Sequence, residues 1–427
     1  MVLALTLFLV TYAALLIFSN YRAWIALASA AVFVILGILP LNKVFPAVDW
    51  NVILMIAGTM GTVYYFIQSR MPSLMADHII DRMPSVKWVI IALALFAGLI
   101  SAFVDNVATV LMVAPVALVV SKRLKISPVP AIIAIAISSN LQGVATLVGD
   151  TTSILLGKQA NMNFVDFFWF EGKPGLFFVV QVGAIISGLV LLVVFHSYRQ
   201  RIEMVDKTVV TDYFPTVLLV GTVVLLILAS FIPQDQKPAI TNGLICMGVM
   251  LIGLVREMVR AGKPLDAVKD VLKEIDYVTL LLLTGLFVVI AGISEAGVVD
   301  AIGRAFASLA GGNVFVAYSL IVWASVLFSA FIDNIPYVAT MLPVTAVIAG
   351  HLGVHPTVLY FGLLVGATLG GNLTPIGASA NITGIGILRK NGYEVGNWDF
   401  MKISIPFTLA AVASGYVLVW LLWGLGA

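Results

Sequence analysis

The chain has 427 residues, of which 61% are hydrophobic and only 10% charged, with a formal net charge of +2 and a mean hydropathy of +1.10. No water-soluble core needs such values; they exclude a soluble enzyme, make nucleic acid an unexpected partner, and call for an all-α polytopic membrane protein. The single cysteine, Cys246, sits in an apolar run, so disulfides within the chain are excluded and the thiol reads as a small buried hydrophobe.

Runs long enough to cross about 30 Å of hydrocarbon as helices start at once. No charge precedes Arg22, so residues 2–18 read as a retained span rather than a cleaved leader. Spans at 23–39 and 51–68 follow, then an interfacial helix at 72–83. The apolar stretch 86–121 contains SAFVDNVATVLMVAPV from Ser101 to Val116, and its Asp-Asn pair predicts a re-entrant hairpin with its tip near Val104 to Asn106. Residues 130–158, interrupted by NLQGVATLVGDTTS from Asn140 to Ser153, predict a broken helix, and 175–195 a further span. The second half offers spans at 214–231 and 239–255, an interfacial helix at 265–275 with Leu265, Val268, Leu272 and Ile275 on one face, and a span at 277–293. Next come a hairpin at 314–349 carrying SAFIDNIPYVATMLPV from Ser329 to Val344, a broken helix at 357–386 carrying TLGGNLTPIGASAN from Thr368 to Asn381, and a last span at 403–423. Continuous rather than alternating apolarity excludes a β-barrel.

An offset of 228 residues aligns Ser101 with Ser329, Asp105 with Asp333, Asn106 with Asn334 and Pro115 with Pro343, and eight of those sixteen positions are identical. The same offset pairs Gly143 with Gly371, Thr146 with Thr374, Gly149 with Gly377 and Ser153 with Asn381, while 227 pairs Asp49 with Asp276 and Gly58 with Gly285. Chance similarity between apolar segments would not keep register through polar residues. Two repeats are therefore expected, 1–212 and 213–427. If each hairpin returns to its own side, each half crosses five times, and an odd number inverts the second half. The expectation is ten crossings, two hairpins and two broken helices, with both termini outside. Basic residues agree with it, since cytoplasmic loops hold the excess of Lys and Arg. Of 23 basic residues, 18 fall in the inward loops: Arg22, Arg70, Arg82, Lys87, Lys122, Arg123, Lys125, Arg199, Arg201, Lys207, Arg256, Arg260, Lys263, Lys269, Lys273, Arg389, Lys390 and Lys402. Lys43, Lys158, Lys173, Lys237 and Arg304 are left outside. Inverted repeats with broken elements are the usual build of secondary transporters.

A carboxylate near the bilayer centre costs at least roughly 2.5 to 3.5 kcal/mol on insertion scales, so an Asp in each hairpin points to ion handling. Breaks in a membrane helix leave carbonyls and amides for a ligand, and hard cations want such oxygens. Asp105, Asn106, Asp333 and Asn334 are thus candidate coupling-ion ligands, with sodium the metal they would suit. In the broken helices Gly143, Gly149, Gly371 and Gly377 let the backbone turn, and Thr146, Thr151, Asn372, Thr374 and Asn381 supply neutral ligands. Thr146 and Thr374 are expected to line the central site. Asp150 is a third intramembrane carboxylate, facing Ala378 in the other repeat, and no Lys or Arg is expected to neutralise the three. Carboxylates out of water suit proton exchange, or sodium binding when ionised. No phosphate loop or nucleophile motif is present, so neither enzyme chemistry nor a cofactor beyond a bound sodium ion is expected.

At these residues the chain resembles the ion transporter superfamily, and most closely its branch of arsenite efflux pumps, NhaD-type sodium/proton antiporters and the melanosomal P protein, with a citrate-transporter-like domain. The two Asp-Asn segments look like its hairpin motifs, and ATLVGDTTS and GGNLTPIGASAN like its broken-helix motifs. The resemblance implies a homodimer in a prokaryotic inner membrane, in which a scaffold holds transport domains that move as elevators. Where the superfamily's dicarboxylate carriers keep Ser at the hairpin tips, this chain has Asp105 and Asp333. The expected function is secondary-active transport of a small ion or oxyanion, driven by protons or sodium. The alternatives are sodium/proton exchange with no other substrate, a sodium-coupled dicarboxylate or citrate carrier, and an ion channel.

Overall fold

The computed structural model describes residues 1–18, 21–123, 126–198, 200, 208–233, 236–261 and 264–425. The first half runs α1 (Val2–Ile17), α2 (Arg22–Ile35), α3 (Leu41–Ala47), α4 (Trp50–Gln68), α5 (Met71–Ile80), α6 (Val86–Ser101), α7 (Asn106–Arg123), α8 (Val129–Gly143) and α9 (Thr151–Gln159). A two-strand ribbon, β1 (Trp169–Phe170) against β2 (Lys173–Pro174), precedes α10 (Leu176–Val194). The second half runs α11 (Phe214–Ser230), α12 (Thr241–Ala261), α13 (Pro264–Glu274), α14 (Tyr277–Glu295), α15 (Val298–Leu309), α16 (Val314–Ser329), α17 (Asn334–Leu352), α18 (Thr357–Gly370), α19 (Ser379–Lys390) and α20 (Asn397–Val419), which ends in one π turn. Helix starts recur at the offsets seen in the sequence. Those of α6 and α16, α7 and α17, α8 and α18, and α9 and α19 are 228 residues apart, and those of α4 and α14, and α5 and α15, 227 apart.

The caps recur as well. Asp49 accepts from Val52 N at 3.1 Å to start α4, and Asp276 from Thr279 N at 3.0 Å to start α14. A left-handed residue then turns the chain after each helix: Arg70 at φ 58° and Gly297 at φ 72°. That turn generates α15, a segment the sequence reading leaves as loop; with Val298, Val299 and Gly303 buried it is the counterpart of α5. The short α3 was likewise not expected. The predicted interfacial helix at 265–275 forms as α13, but its buried stripe is Ala267, Val271 and Ile275, while Leu265 and Leu272 face outward. In a membrane protein large apolar side chains lose nothing by facing lipid, and small ones allow close packing inside. Lys125, Arg199, Arg201, Lys207 and Lys263 of the expected inward set lie outside the described residues.

Among the described residues six helices, α4, α10, α12, α14, α17 and α20, are long and apolar enough to cross a membrane, and α15 with α16 forms a pair bent by 116°. Seven further apolar helices have 10–17 residues. Ten crossings would need some of these shorter helices to span as well.

Packing joins the halves crosswise, α4 against α12, α14 against α2 and α10 against α20, while within the halves α6 packs on α8 and α16 on α18. The matched glycines sit at the crosswise contacts. A Cβ on Gly285 would lie 2.5 Å from the backbone of Ala26, and one on Gly58 would strike the backbone of Cys246. The buried thiol of Cys246 is thus at a helix contact. α8 and α18 are buried on all sides over most of their length, as helices apolar all round should be.

Ahead of α11, Asp212 accepts from Arg256 at 2.8 and 3.0 Å and from Arg260. The Arg256 guanidinium holds the Asp212 carboxyl below the usual carboxylate range. A depressed pKa gives stability that is present above the unfolded value and lost as pH falls through the folded one. Asp212→Asn should therefore flatten the acid-side fall of melting temperature, read by thermal melts in detergent. Gly285→Val should lower the melting temperature by overpacking worth about 1–3 kcal/mol, whereas Gly350→Ala, with open space around it, should not.

Candidate functional site

Both hairpins break at the Asp-Asn pair because its carboxylate caps the returning helix. α6 ends at Ser101 and α7 begins at Asn106; Asp105 Oδ1 accepts from Val107 N at 3.0 Å and Ala108 N at 3.2 Å. α16 ends at Ser329 and α17 begins at Asn334; Asp333 Oδ1 accepts from Ile335 N at 3.1 Å. The four-residue tips leave carbonyls that no helix satisfies, and the broken helices take them up. Thr146 Oγ1 donates to Ala102 O, and Thr374 Oγ1 to Ala330 O. Gly149 and Gly377 press on the same tips: a Cβ on Gly149 would lie 2.7 Å from Ser101 O, and one on Gly377 2.7 Å from both Ser329 O and Ala330 O. No other residue fits there. Within each break, Ser153 Oγ donates to Gly143 O at 3.3 Å and Asn381 Nδ2 to Gly371 O at 3.1 Å.

Thr146, Thr374, Gly149 and Gly377 therefore bind hairpin to broken helix, while Gly143, Gly371 and Asn381 close the break itself; none of the seven lines the central cavity, contrary to the expectation for Thr146 and Thr374. Asn372 is spent on packing too. It donates to Ile137 O at 2.9 Å and accepts from Asn140 at 3.1 Å, while Asn140 accepts from Asn106 at 2.9 Å. This amide chain ties the first hairpin to the second broken helix. Asn140 was missed because an amide inside a long motif gives no separate sequence signal.

A cavity of about 510 Å³ opens between the two hairpin tips and the starts of α9 and α19. Asp105, Asn106, Asp150, Thr151 and Asn334 line it, together with Arg22, Glu274, Asp276 and Ser379. A larger crevice of about 670 Å³ lies under α13, but it holds the Asp212–Arg256 pair and none of the repeated motifs. Asp150 starts α9, accepting from Thr151 N at 2.8 Å and from Thr152 Oγ1 at 2.8 Å. Asn334 is 3% exposed, its Nδ2 has no partner among the described residues, and the residue is part of the cavity wall.

One expectation is overturned at this point. Asp333 is not without a cation: Arg22, counted in the sequence as an inward-loop charge, pairs with it at 2.6 Å, and Ser379 Oγ donates to the same oxygen at 3.1 Å. Spacing could not reveal a pair 311 residues apart. Asp105 and Asp150 have no such partner among the described residues. With Asp105, Asp150, Glu274 and Asp276 lining it against Arg22 alone, the cavity carries an excess of negative charge. Asp276 had a signal, its match to Asp49, although the two now differ: Asp49 sits 3.2 Å from Lys158 outside this cavity. Among the described residues no group of three His, Cys, Asp or Glu side chains is arranged for a metal.

The CitMHS family model, described as citrate transporter, matches residues 12–366. An uncharacterized transporter of Mycobacterium tuberculosis is 31% identical over 98% of this chain and 98% of its own. The human P protein is 25% identical over 92% of this chain and 56% of its own length. Among solved structures the Alcanivorax borkumensis YdaH transporter aligns with a TM-score of 0.63 at 16% identity, covering 95% of this chain and 98% of that one. At that identity the likeness is one of fold. Thr374→Val should leave Ala330 O buried and unpaired, lowering stability by about 1–3 kcal/mol in thermal melts, with Thr374→Ser close to the parent.

Proposed function

This chain belongs to the citrate transporter family of integral membrane transporters, and we propose that it is a secondary-active carrier whose coupling proton or sodium ion binds at Asp105 and Asp150. The observation that carries this reading is the pairing of those two carboxylates in one cavity with no basic side chain on either among the described residues. A cation there would meet Asp105 Oδ2, the Thr151 hydroxyl and the Asp150 carboxylate, the oxygen ligands hard cations take. Each hairpin would move with the broken helix bound to it, as the ties from Thr146, Gly149, Thr374 and Gly377 suggest, against the crosswise helices α2, α4, α12 and α14. That division is the one an elevator needs.

The charge in the cavity bears on the cargo. A free polycarboxylate such as citrate would face four carboxylates and one guanidinium, so an anionic substrate would have to enter with a cation or proton. The same acid excess favours a second reading, sodium/proton exchange with no other substrate. Transport by purified protein in liposomes under imposed pH and sodium gradients tests both. Asp105→Asn and Asp150→Asn should each lower flux about tenfold or more, with the melting temperature kept. Intact flux and intact pH dependence in the double variant would sink the proposal. Sodium-dependent proton movement without organic anion selects exchange; movement only when citrate is added selects the substrate of the family's name.

A further inference from the structure

The two hairpin carboxylates hold matching places with unlike partners. Asp333 Oδ2 receives Arg22 Nη1 at 2.6 Å and Ser379 Oγ at 3.1 Å, while its Oδ1 caps α17. Asp105 Oδ1 takes both of its cap N–H groups, and its Oδ2 accepts no hydrogen bond among the described residues. The residue matching Ser379 is Thr151, which lines the cavity near Asp105. Arg22 has no basic match: Gly285 meets Ala26 as its match Gly58 meets Cys246, an offset of 220 between α2 and α12, and at that offset the place of Arg22 is held by the neutral Asn242. The frame of oxygens is thus built twice, and a covalent cation is supplied to one copy only.

Arg22 starts α2, which packs on α14 rather than belonging to a hairpin or a broken helix, and among the described residues it is the sole basic one lining the cavity. A guanidinium keeps its charge at any pH the protein meets, and it matches a carboxylate in shape. Its side chain is 23% exposed and that of Asp333 17%, so little water competes for the pair. Next to it the unpartnered Nδ2 of Asn334 marks a site whose polar groups are not all used within the protein.

We propose that Arg22 is a built-in counter-cation that keeps Asp333 from taking a transported ion, so that one cation site, at Asp105 and Asp150, serves each protomer. The inference rests on the reading of that pair as the coupling site. Without Arg22, Asp333 and Ser379 would present to the cavity the same oxygens that Asp105 and Thr151 present now.

Melting temperature of the full chain in detergent counts the sites, measured against sodium chloride at fixed pH with choline chloride as balance, and against pH in choline chloride alone. At high cation activity the wild type should gain stability with the slope of about one ion bound per protein, and Arg22→Gln should raise that slope toward about two for whichever cation acts. Arg22→Lys, which keeps the charge, should stay single-sited. Arg22→Gln combined with Asp333→Asn removes both charges, strands neither, and should return to one site; if Arg22→Gln alone does not fold, the double variant against wild type decides. A two-site wild type that loses one site in the double variant overturns the role of Arg22, as does an Arg22→Gln protein that folds and stays single-sited. A wild type that responds to neither cation overturns the coupling reading itself.

Discussion

A backbone that stops being helical inside an apolar bundle must find partners for its carbonyls and amides, and here each break finds them in the other break of its own half. The hairpin tip ends in carbonyls at Ala102 and Ala330; the broken helix brings Thr146 and Thr374 to meet them, and Gly149 and Gly377 let the two backbones touch. Everything else at the site follows from that closure. The Asp at each tip is held by its capping bonds, α9 and α19 start at a set distance from it, and the space left between the two closed units is the cavity.

Symmetry of the frame does not extend to its charges. Asp105 and Asp333 cap their helices alike, yet one faces open space and the other a guanidinium from α2. Asp150 adds a carboxylate where the other half has Ala378, and Asp276 opens on the cavity while its match Asp49 lies beside Lys158. Substitutions at the margins of a duplicated frame can divide labour between its copies without disturbing the hydrogen bonds that hold it. In low dielectric such single charges dominate what a cavity will accept.

Much of this was legible in the residues. Long apolar runs mark helices because backbone bonding leaves no other structure in lipid, and the polar residues inside them mark breaks because they are costly there. Hence helices break at both Asp-Asn pairs and inside both Gly/Thr-rich motifs. Less legible were segments whose pattern is weak or whose partners are remote. The helix α15 hangs on a left-handed turn at Gly297, a signal carried by one residue. On α13 the residues packed inside, Ala267, Val271 and Ile275, share only Ile275 with the predicted apolar stripe, because in a membrane apolar character does not separate inside from outside.

From sequence alone came the membrane class, the repeat with its offset, and the residue types that can bind a cation, because each depends on composition or on local spacing. The tertiary structure decided which of those residues face a cavity. It turned Thr146, Thr374 and the glycines into fastenings, drew Asn140 and Asn372 into a bond between the halves, and set Arg22 on Asp333. Charges and hydrogen bonds act through space over a few ångströms, whereas a chain records only neighbours along its length, so two residues 311 positions apart become partners only once the helices have packed.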